Sequence, residues 1–334
     1  MAEATLTIDQ RQIDDLQRQF AMRKPTSLYA DAWRRLIRNK GSVAGMIVVA
    51  FFMAVGLLAP VLAPHGPLQN FPNNSYRQAS WITLANDPLH SGVPEFFFGT
   101  DTIGRDVLSR VIYGARTSMA VGFIPMVIIL LIGTTIGLVA GYSGGRVDNL
   151  LMRFTDIVYA FPDLLFFIIL ITALRDTWIG ELLNGFFLLF LSLALISWVT
   201  VARLVRGQVL TVKERDYVEA ARSIGATSPR IVLQHILPNS LAPIIVAAAF
   251  LVPQSIVTEA ILGYLGVGIR PASDPSAPFP VSWGNLLLDG RVGIEAQIWL
   301  LIVPAVCVGL IMLAFTFIGD GLRDALDPMM KGTS

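Results

Sequence analysis

Apolar residues gather along this chain in runs without a charged residue: Ser42 to Ala63, Thr117 to Gly145, Leu182 to Ala202, Ile236 to Thr258 and Ala296 to Gly319. At ~1.5 Å of rise per residue, each is long enough to cross the ~30 Å of a bilayer's hydrocarbon. A sixth run, Ile157 to Leu174, is interrupted only by Asp163. The pattern predicts an all-α polytopic membrane protein with six transmembrane helices, at about 42–63, 117–141, 157–174, 182–202, 240–262 and 296–319. The first run is longer than the ~15 residues of a signal peptide's apolar region and follows a long polar segment, so it reads as an anchor.

Between the runs, apolar positions recur at helical spacing. Ile13, Leu16 and Phe20 predict a short amphipathic helix within residues 1–27. Residues 28–40 set Tyr29, Trp33, Leu36 and Ile37 against Arg34, Arg35, Arg38 and Lys40, the form of an interfacial helix whose basic residues meet anionic lipid headgroups. Residues 1–41 are thus an N-terminal segment ahead of a transmembrane domain at 42–334. The segment 64–116 reads as a long loop, Pro/Asn/Ser-rich over Pro64 to Pro94. Its last part, with Val107, Leu108, Val111, Ile112 and Ala115, predicts a helix lying on the membrane face before turning into the second span.

The loop 203–239 carries the most punctuated stretch. Tyr217, Ala220, Ala221 and Ile224 predict a short helix with one small-residue face, flanked by Glu219 and Arg222, that Gly225 ends. Ser228 as N-cap and Pro229 at the first helical position announce a second helix, which Pro238 closes. Helix, glycine turn and helix make a compact knob.

Composition agrees with the membrane class: of 334 residues 54% are hydrophobic and 15% charged, and the mean hydropathy is positive. The net charge of +1 gives no reason to expect nucleic acid as a partner. With both termini in the cytoplasm, 18 of the 25 Lys and Arg fall on the cytoplasmic side, the orientation that the positive-inside rule favours. That places the knob in the cytoplasm. Cys307 is the single cysteine, so no disulfide forms within the chain.

Few residues carry candidate chemistry. Gly141-Tyr142-Ser143-Gly144-Gly145 matches a hydrolase G-x-S-x-G elbow, but such an elbow needs a preceding strand and a histidine base. His65 and His90 belong to the outer loop and His235 to the knob. The two loop histidines have no neighbouring second ligand, so they read as surface residues and no metal site is expected. An acid within a membrane span is a functional candidate, which singles out Asp163, beside the break at Phe161-Pro162, and Glu259. Each either lines a pathway or bonds a neighbouring helix. Gly133, Gly137 and Gly141 form a smooth stripe suited to close helix packing.

Glu219, Ala220, Ala221, Gly225, Leu237 and Pro238 stand on a spacing that resembles the Glu-Ala-Ala coupling motif of permease subunits of bacterial ABC importers, and with Ala226 and His235 they are the candidate coupling residues. His235, where many such permeases have Ile, is similar to the peptide-transporter branch. Gly99 to Arg110, with Asp101 and Arg105, and the Trp283-Gly284 pair resemble the C-type subunit of dipeptide and oligopeptide importers, as does the stretch Gly319 to Pro328.

The resemblance implies a type I ABC importer permease fold in the bacterial inner membrane, with a cytoplasmic coupling-helix hairpin. It implies a homologous second permease, two ATP-binding cassette subunits that bind ATP and magnesium and receive the knob, and an extracytoplasmic solute-binding protein. On this view Asp101, Arg105 and Trp283 are candidate contacts for the binding protein, and Asp163 and Glu259 candidate pathway residues. No cofactor belongs to this chain, and it is no enzyme: none of Lys24, Lys40, Lys213 and Lys331 follows a glycine, so the nucleotide-binding G-x-x-x-x-G-K-[ST] is absent. The rival readings are an intramembrane serine hydrolase at Ser143 and an ion-gradient-driven secondary transporter, the latter expected to show inverted repeats and paired broken helices.

Overall fold

The computed structural model describes residues 28–274 and 277–327. The helix expected around Ile13, Leu16 and Phe20 lies outside them, as does Pro328. The described chain is helical apart from loops and one β-bridge between Thr100 and Asp106. Its helices are α1 (Leu28–Leu36), α2 (Lys40–Leu57), α3 (Ala59–Leu62), α4 (Val107–Ser143), α5 (Gly145–Tyr159), α6 (Asp163–Leu174) and α7 (Trp178–Glu181). There follow α8 (Phe186–Val212), α9 (Asp216–Ser223), α10 (Ser228–Ile231), α11 (Leu237–Tyr264), α12 (Trp283–Val292) and α13 (Trp299–Leu326). Five of the described segments are long and apolar enough to cross a membrane, and α5 with α6, counted as one bent span, makes six.

The helix α4 corrects the sequence reading. Its 37 residues extend about 55 Å, so the expected surface helix and the second span are one rod that projects beyond the hydrocarbon. Arg110 and Arg116 keep residues 107–116 out of the charge-free run. Arg110, however, is buried within the fold and paired with Asp101 and Asp289. Long-range partners, not solvent, take up its charge.

The glycine stripe of α4 faces α8. A Cβ on Gly133 would sit 2.6 Å from Val201 Cβ, on Gly137 2.6 Å from the Ala202 carbonyl oxygen, and on Gly141 2.7 Å from Val209 Cβ. Any larger residue would push the two helices apart. Against the other flank, α2 packs on α13, where Ser42 donates to the Phe317 carbonyl at 3.0 Å.

Phe161-Pro162-Asp163 divides α5 from α6, which meet at 78°. Pro162 is extended, with φ −63° and ψ 117°, and has no N–H with which to continue a helix. Asp163 therefore becomes the first residue of α6.

Residues 64–106 fold into a cap over one end of the bundle. Gln297, fully buried, donates through Nε2 to the Arg77 carbonyl at 2.6 Å and so ties the cap to the start of α13. His65 is not the surface residue its sequence suggested: it is mostly buried, edge-on to Phe71, with Nδ1 3.5 Å from Asp106. His90 lies at the surface beside Asp87, whose carboxyl it holds below the usual carboxylate range.

Candidate functional site

Polar side chains that reach the surface of the spans mark a groove along α6, α8 and α11. Toward the cap it begins between Phe167, Leu193, Ser255 and Thr258, a hollow of about 160 Å³. A second hollow of about 160 Å³ follows, lined by Tyr159, Thr200 and Ala247. The two share Asp163, Ser197, Leu251 and Gln254. The second runs past Leu204, Ala247 and Phe250 into a wider hollow of about 620 Å³, bounded by Gln208, Asn239 and Arg323.

From Asn239 to Thr258 the wall provided by α11 is about 28 Å long, nearly the ~30 Å of the hydrocarbon. Asp163, Thr200 and Gln254 are exposed along it. Exposed polar groups at such a depth are costly against lipid, so the groove is a wet face or one covered by another protein. Sequence reasoning found Asp163 and missed Ser197, Thr200 and Gln254. A signal was there: Gln254 is the largest polar side chain in the charge-free run 236–258, and Ser197 and Thr200 stand three apart in the run 182–202, on one helical face.

Glu259 is turned away from this groove. It is fully buried between α11 and α12, accepts from Ser282 Oγ at 2.6 Å, and faces Gly284, where a Cβ would come within 2.6 Å of Oε1. Of the two readings its sequence allowed, the geometry is that of a bond to a neighbouring element: the carboxyl fixes α12 to α11. Trp283, expected at an outer contact, is also fully buried, donating through Nε1 to the Val111 carbonyl at 3.0 Å. Asp101 has no surface to offer either. It accepts from the Ile103 and Arg105 backbone N–H groups and pairs at 2.6 Å with both Arg105 Nε and Arg110 Nη1. Of the three expected binding-protein contacts only Arg105 keeps partial exposure, and it too is held by Asp101.

At the opposite end, the chain leaves α8 at Val212 and builds the knob. Gly225 has φ +81°, and around it the Gly225 N–H donates to the Arg222 carbonyl and the Ala226 N–H to the Ala221 carbonyl. This is the paired bonding of a Schellman C-cap, which favours glycine at the left-handed position.

The expected small-residue face is divided. Val218 and Ala221 point inward and pack with Val209, Val212, Ile231 and Ile236, whereas Tyr217, Ala220 and Ile224 point outward. Ile224 is 86% exposed. The second half of the hairpin also differs from expectation. Thr227, not Ser228, is the N-cap residue, and Pro238 does not close a helix. Instead α10 passes through a π-helical stretch, Val232–Ile236, directly into α11. In that stretch the Leu237 N–H reaches the Val232 carbonyl, the i to i−5 bond of a π-bulge. Such a bulge accommodates Pro238, which lacks an N–H and would crowd the carbonyl four residues back in a regular helix. His235 lies in this stretch, half-buried, with its carbonyl accepting from Asn239 Nδ2 at 2.6 Å.

Ser143 ends α4 as a helical residue, not on a strand-to-helix elbow. Among the described residues no group of three or more His, Cys, Asp or Glu is placed to hold a metal.

A bundle of six spans with a long groove that carries polar side chains, and a compact hairpin at one end, defines a membrane transport component. The family described as binding-protein-dependent transport system inner membrane component matches residues 133–332, and the N-terminal TM domain of oligopeptide transport permease C matches residues 27–80. The chain belongs to the binding-protein-dependent transport system inner membrane component family: it is an ABC-type permease subunit, a multi-pass inner-membrane protein and not itself an enzyme.

Among its relatives, the oligopeptide transport system permease protein OppC of Haemophilus influenzae is 40% identical over 302 residues, 90% of this chain and 89% of that protein. The dipeptide transport system permease protein DppC of Bacillus subtilis is 39% identical over 313 residues, 93% and 89% of the respective chains. Among solved structures, an inward-facing MetNI methionine ABC transporter aligns with TM-score 0.50 at 20% identity, covering 66% of this chain and 96% of that one. That likeness concerns the fold, a type I importer permease fold.

Proposed function

We propose that the chain forms one half of the translocation pathway of an ATP-driven importer for peptides or similar small solutes. The observation that carries this reading is the groove, open along one side, set with Asp163, Ser197, Thr200 and Gln254 among apolar walls, and nearly as long as the hydrocarbon is thick. A half-groove needs a second wall, and a homologous permease facing α6, α8 and α11 supplies it. Exposed Asp163, Thr200 and Gln254 then become the lining of a channel that opens alternately to either side. The names of the relatives, oligopeptide and dipeptide permeases, support the solute class.

Energy comes from outside the chain. In this reading Glu219, Ala220, Gly225, Ala226, His235, Leu237 and Pro238 shape a knob seated in a groove of an ATP-binding cassette subunit. Ala221 acts from beneath, packing the knob onto the bundle. The termini and the knob lie in the cytoplasm, and the cap faces an extracytoplasmic binding protein that delivers the solute.

The reading is tested by single cysteines at Thr200 and Gln254 in a Cys307→Ser background of the assembled transporter. Solute and ATP together are expected to change their reaction rate with a small hydrophilic thiol reagent at least several-fold. Cysteines at both positions that stay inert in every state, with uptake at the parental rate after attempted labelling, would place the pathway elsewhere.

A further inference from the structure

A second hollow lies on the far side of the bundle, between α2, α4 and α13. It is a groove of about 570 Å³ whose walls are apolar, among them Phe52, Val55, Ile112, Val303 and Cys307, with Trp299 at the cap end. From Trp299 to Cys307 it runs about 12 Å along α13, most of the ~15 Å depth of one leaflet's hydrocarbon.

The Trp299 indole carries the inference. Its Nε1 is buried and finds no acceptor, whereas the indoles of Trp283 and Trp198 donate to the Val111 and Leu195 carbonyls at 3.0 and 2.9 Å. A buried indole N–H ordinarily has an acceptor. Trp81 packs edge-on against Trp299 with ring centroids 5.2 Å apart, and Trp81 and Phe97 are half exposed. Such a cluster of half-exposed aromatics is characteristic of the membrane–water interface, the level at which a lipid's ester carbonyls lie.

We infer that this groove is a binding site for one phospholipid of the leaflet on the cap side, with an acyl chain lying between α2, α4 and α13 and an ester carbonyl accepting from Trp299 Nε1. A protein helix is a poor occupant, because its interior carbonyls are taken up by its own N–H groups and leave none for the indole. An acyl chain also matches walls whose hydrogen-bonding groups are the indole at the mouth and the weakly donating Cys307 thiol. The lipid would then be a structural element between α2, which belongs to the segment matching the permease C N-terminal domain, and the rest of the bundle.

The test uses the transporter purified with its partner subunits, depleted of lipid in detergent and examined by native mass spectrometry. Wild type is expected to retain one phospholipid per copy of this chain that the groove-filling variant Ile112→Phe/Val303→Phe lacks, and that Trp299→Phe loses several-fold more readily. Phosphatidylglycerol with brominated acyl chains, added back, is expected to quench the emission that separates wild type from Trp299→Phe, and to do so saturably. Equal retention in wild type and Trp299→Phe with no saturable quenching of that emission would overturn the site, whether or not the filled variant assembles. Cross-linking of Cys307 to a neighbouring subunit's helix by a short bifunctional reagent would overturn it too, by showing protein in the groove.

Discussion

The cap and the knob are both polar stretches between spans, rich in charge, and they use that charge in opposite directions. In the cap it turns inward. Asp101 and Arg110 are buried, and with Arg105 and Asp289 they form a closed set of ion pairs that joins residues 101–105, α4 and α12. In the knob, Glu219, Arg222 and Arg230 are exposed and form no ion pair among the described residues, while Ile224 stands 86% in solvent beside them. Charge density alone therefore says little about where a protein is touched. A set of charges that satisfies itself is a fastener. Charges left outside, around an exposed apolar residue, form a surface that awaits a partner.

The comparison is broken most forcefully at Asp101. Asp101→Ala leaves Arg110 buried with a single remaining partner and two backbone N–H groups without their acceptor. Removing one member of a buried ion pair costs roughly 3–5 kcal/mol, so the detergent-solubilised complex is expected to unfold at clearly lower temperature. A melting curve superimposable on that of wild type would mean that the cap's charges are not a fastener. Ala221→Leu comes next. Ala221 is packed against the bundle, and overfilling such a site costs about 1–3 kcal/mol. The expected result is loosened protection of the Val218 and Ile231 amides in hydrogen exchange, with loss of partner binding as a consequence.

How far these differences could be read from sequence depends on the range of the forces involved. Features set locally were legible: the charge-free runs mark the spans, Gly225 marks a left-handed turn, and Pro162 marks the break between α5 and α6. Features set by distant partners were not. Arg110 and Arg116 kept residues 107–116 out of the charge-free run, although Arg110 has its partner Asp289 far along the chain, and Trp283 read as an outer contact because the small residue that admits it, Gly114, belongs to another element. Pro238 read as a stop because the π-bulge that accommodates it leaves no compositional mark. On the groove, an acid in a span drew attention that Gln254 and Thr200, uncharged, did not.

A smaller effect is expected at the turn of the knob. Nothing lies within 4 Å of where a Cβ on Gly225 would be, so a side chain there meets no clash and only the backbone resists. A β-branched residue held at φ +81° costs about 1–2 kcal/mol. Gly225→Val is therefore expected to lower ATPase co-purification and solute-stimulated ATP hydrolysis while the spans still insert. Full coupling in that variant would show that the turn tolerates another conformation.

The smallest expected effect on stability is at Ile224, and it separates docking from folding. The side chain touches little of its own protein, so Ile224→Ser should change stability by no more than about 0.5 kcal/mol, as surface substitutions ordinarily do. If the knob is seated in a partner, however, Ile224 is buried there, and an apolar side chain withdrawn from water on docking is worth about 1.5–3 kcal/mol. That corresponds to about a 10- to 140-fold weaker hold on the ATPase subunits. Co-purification under dilution measures it against an unchanged melting temperature. Asp101→Ala should show the reverse, a lowered melting temperature with the ATPase subunits still bound wherever the bundle survives. If Ile224→Ser instead lowers the melting temperature and leaves the partners attached, the exposed face of the knob is not a docking surface, and the contrast between cap and knob collapses into two ways of building a loop.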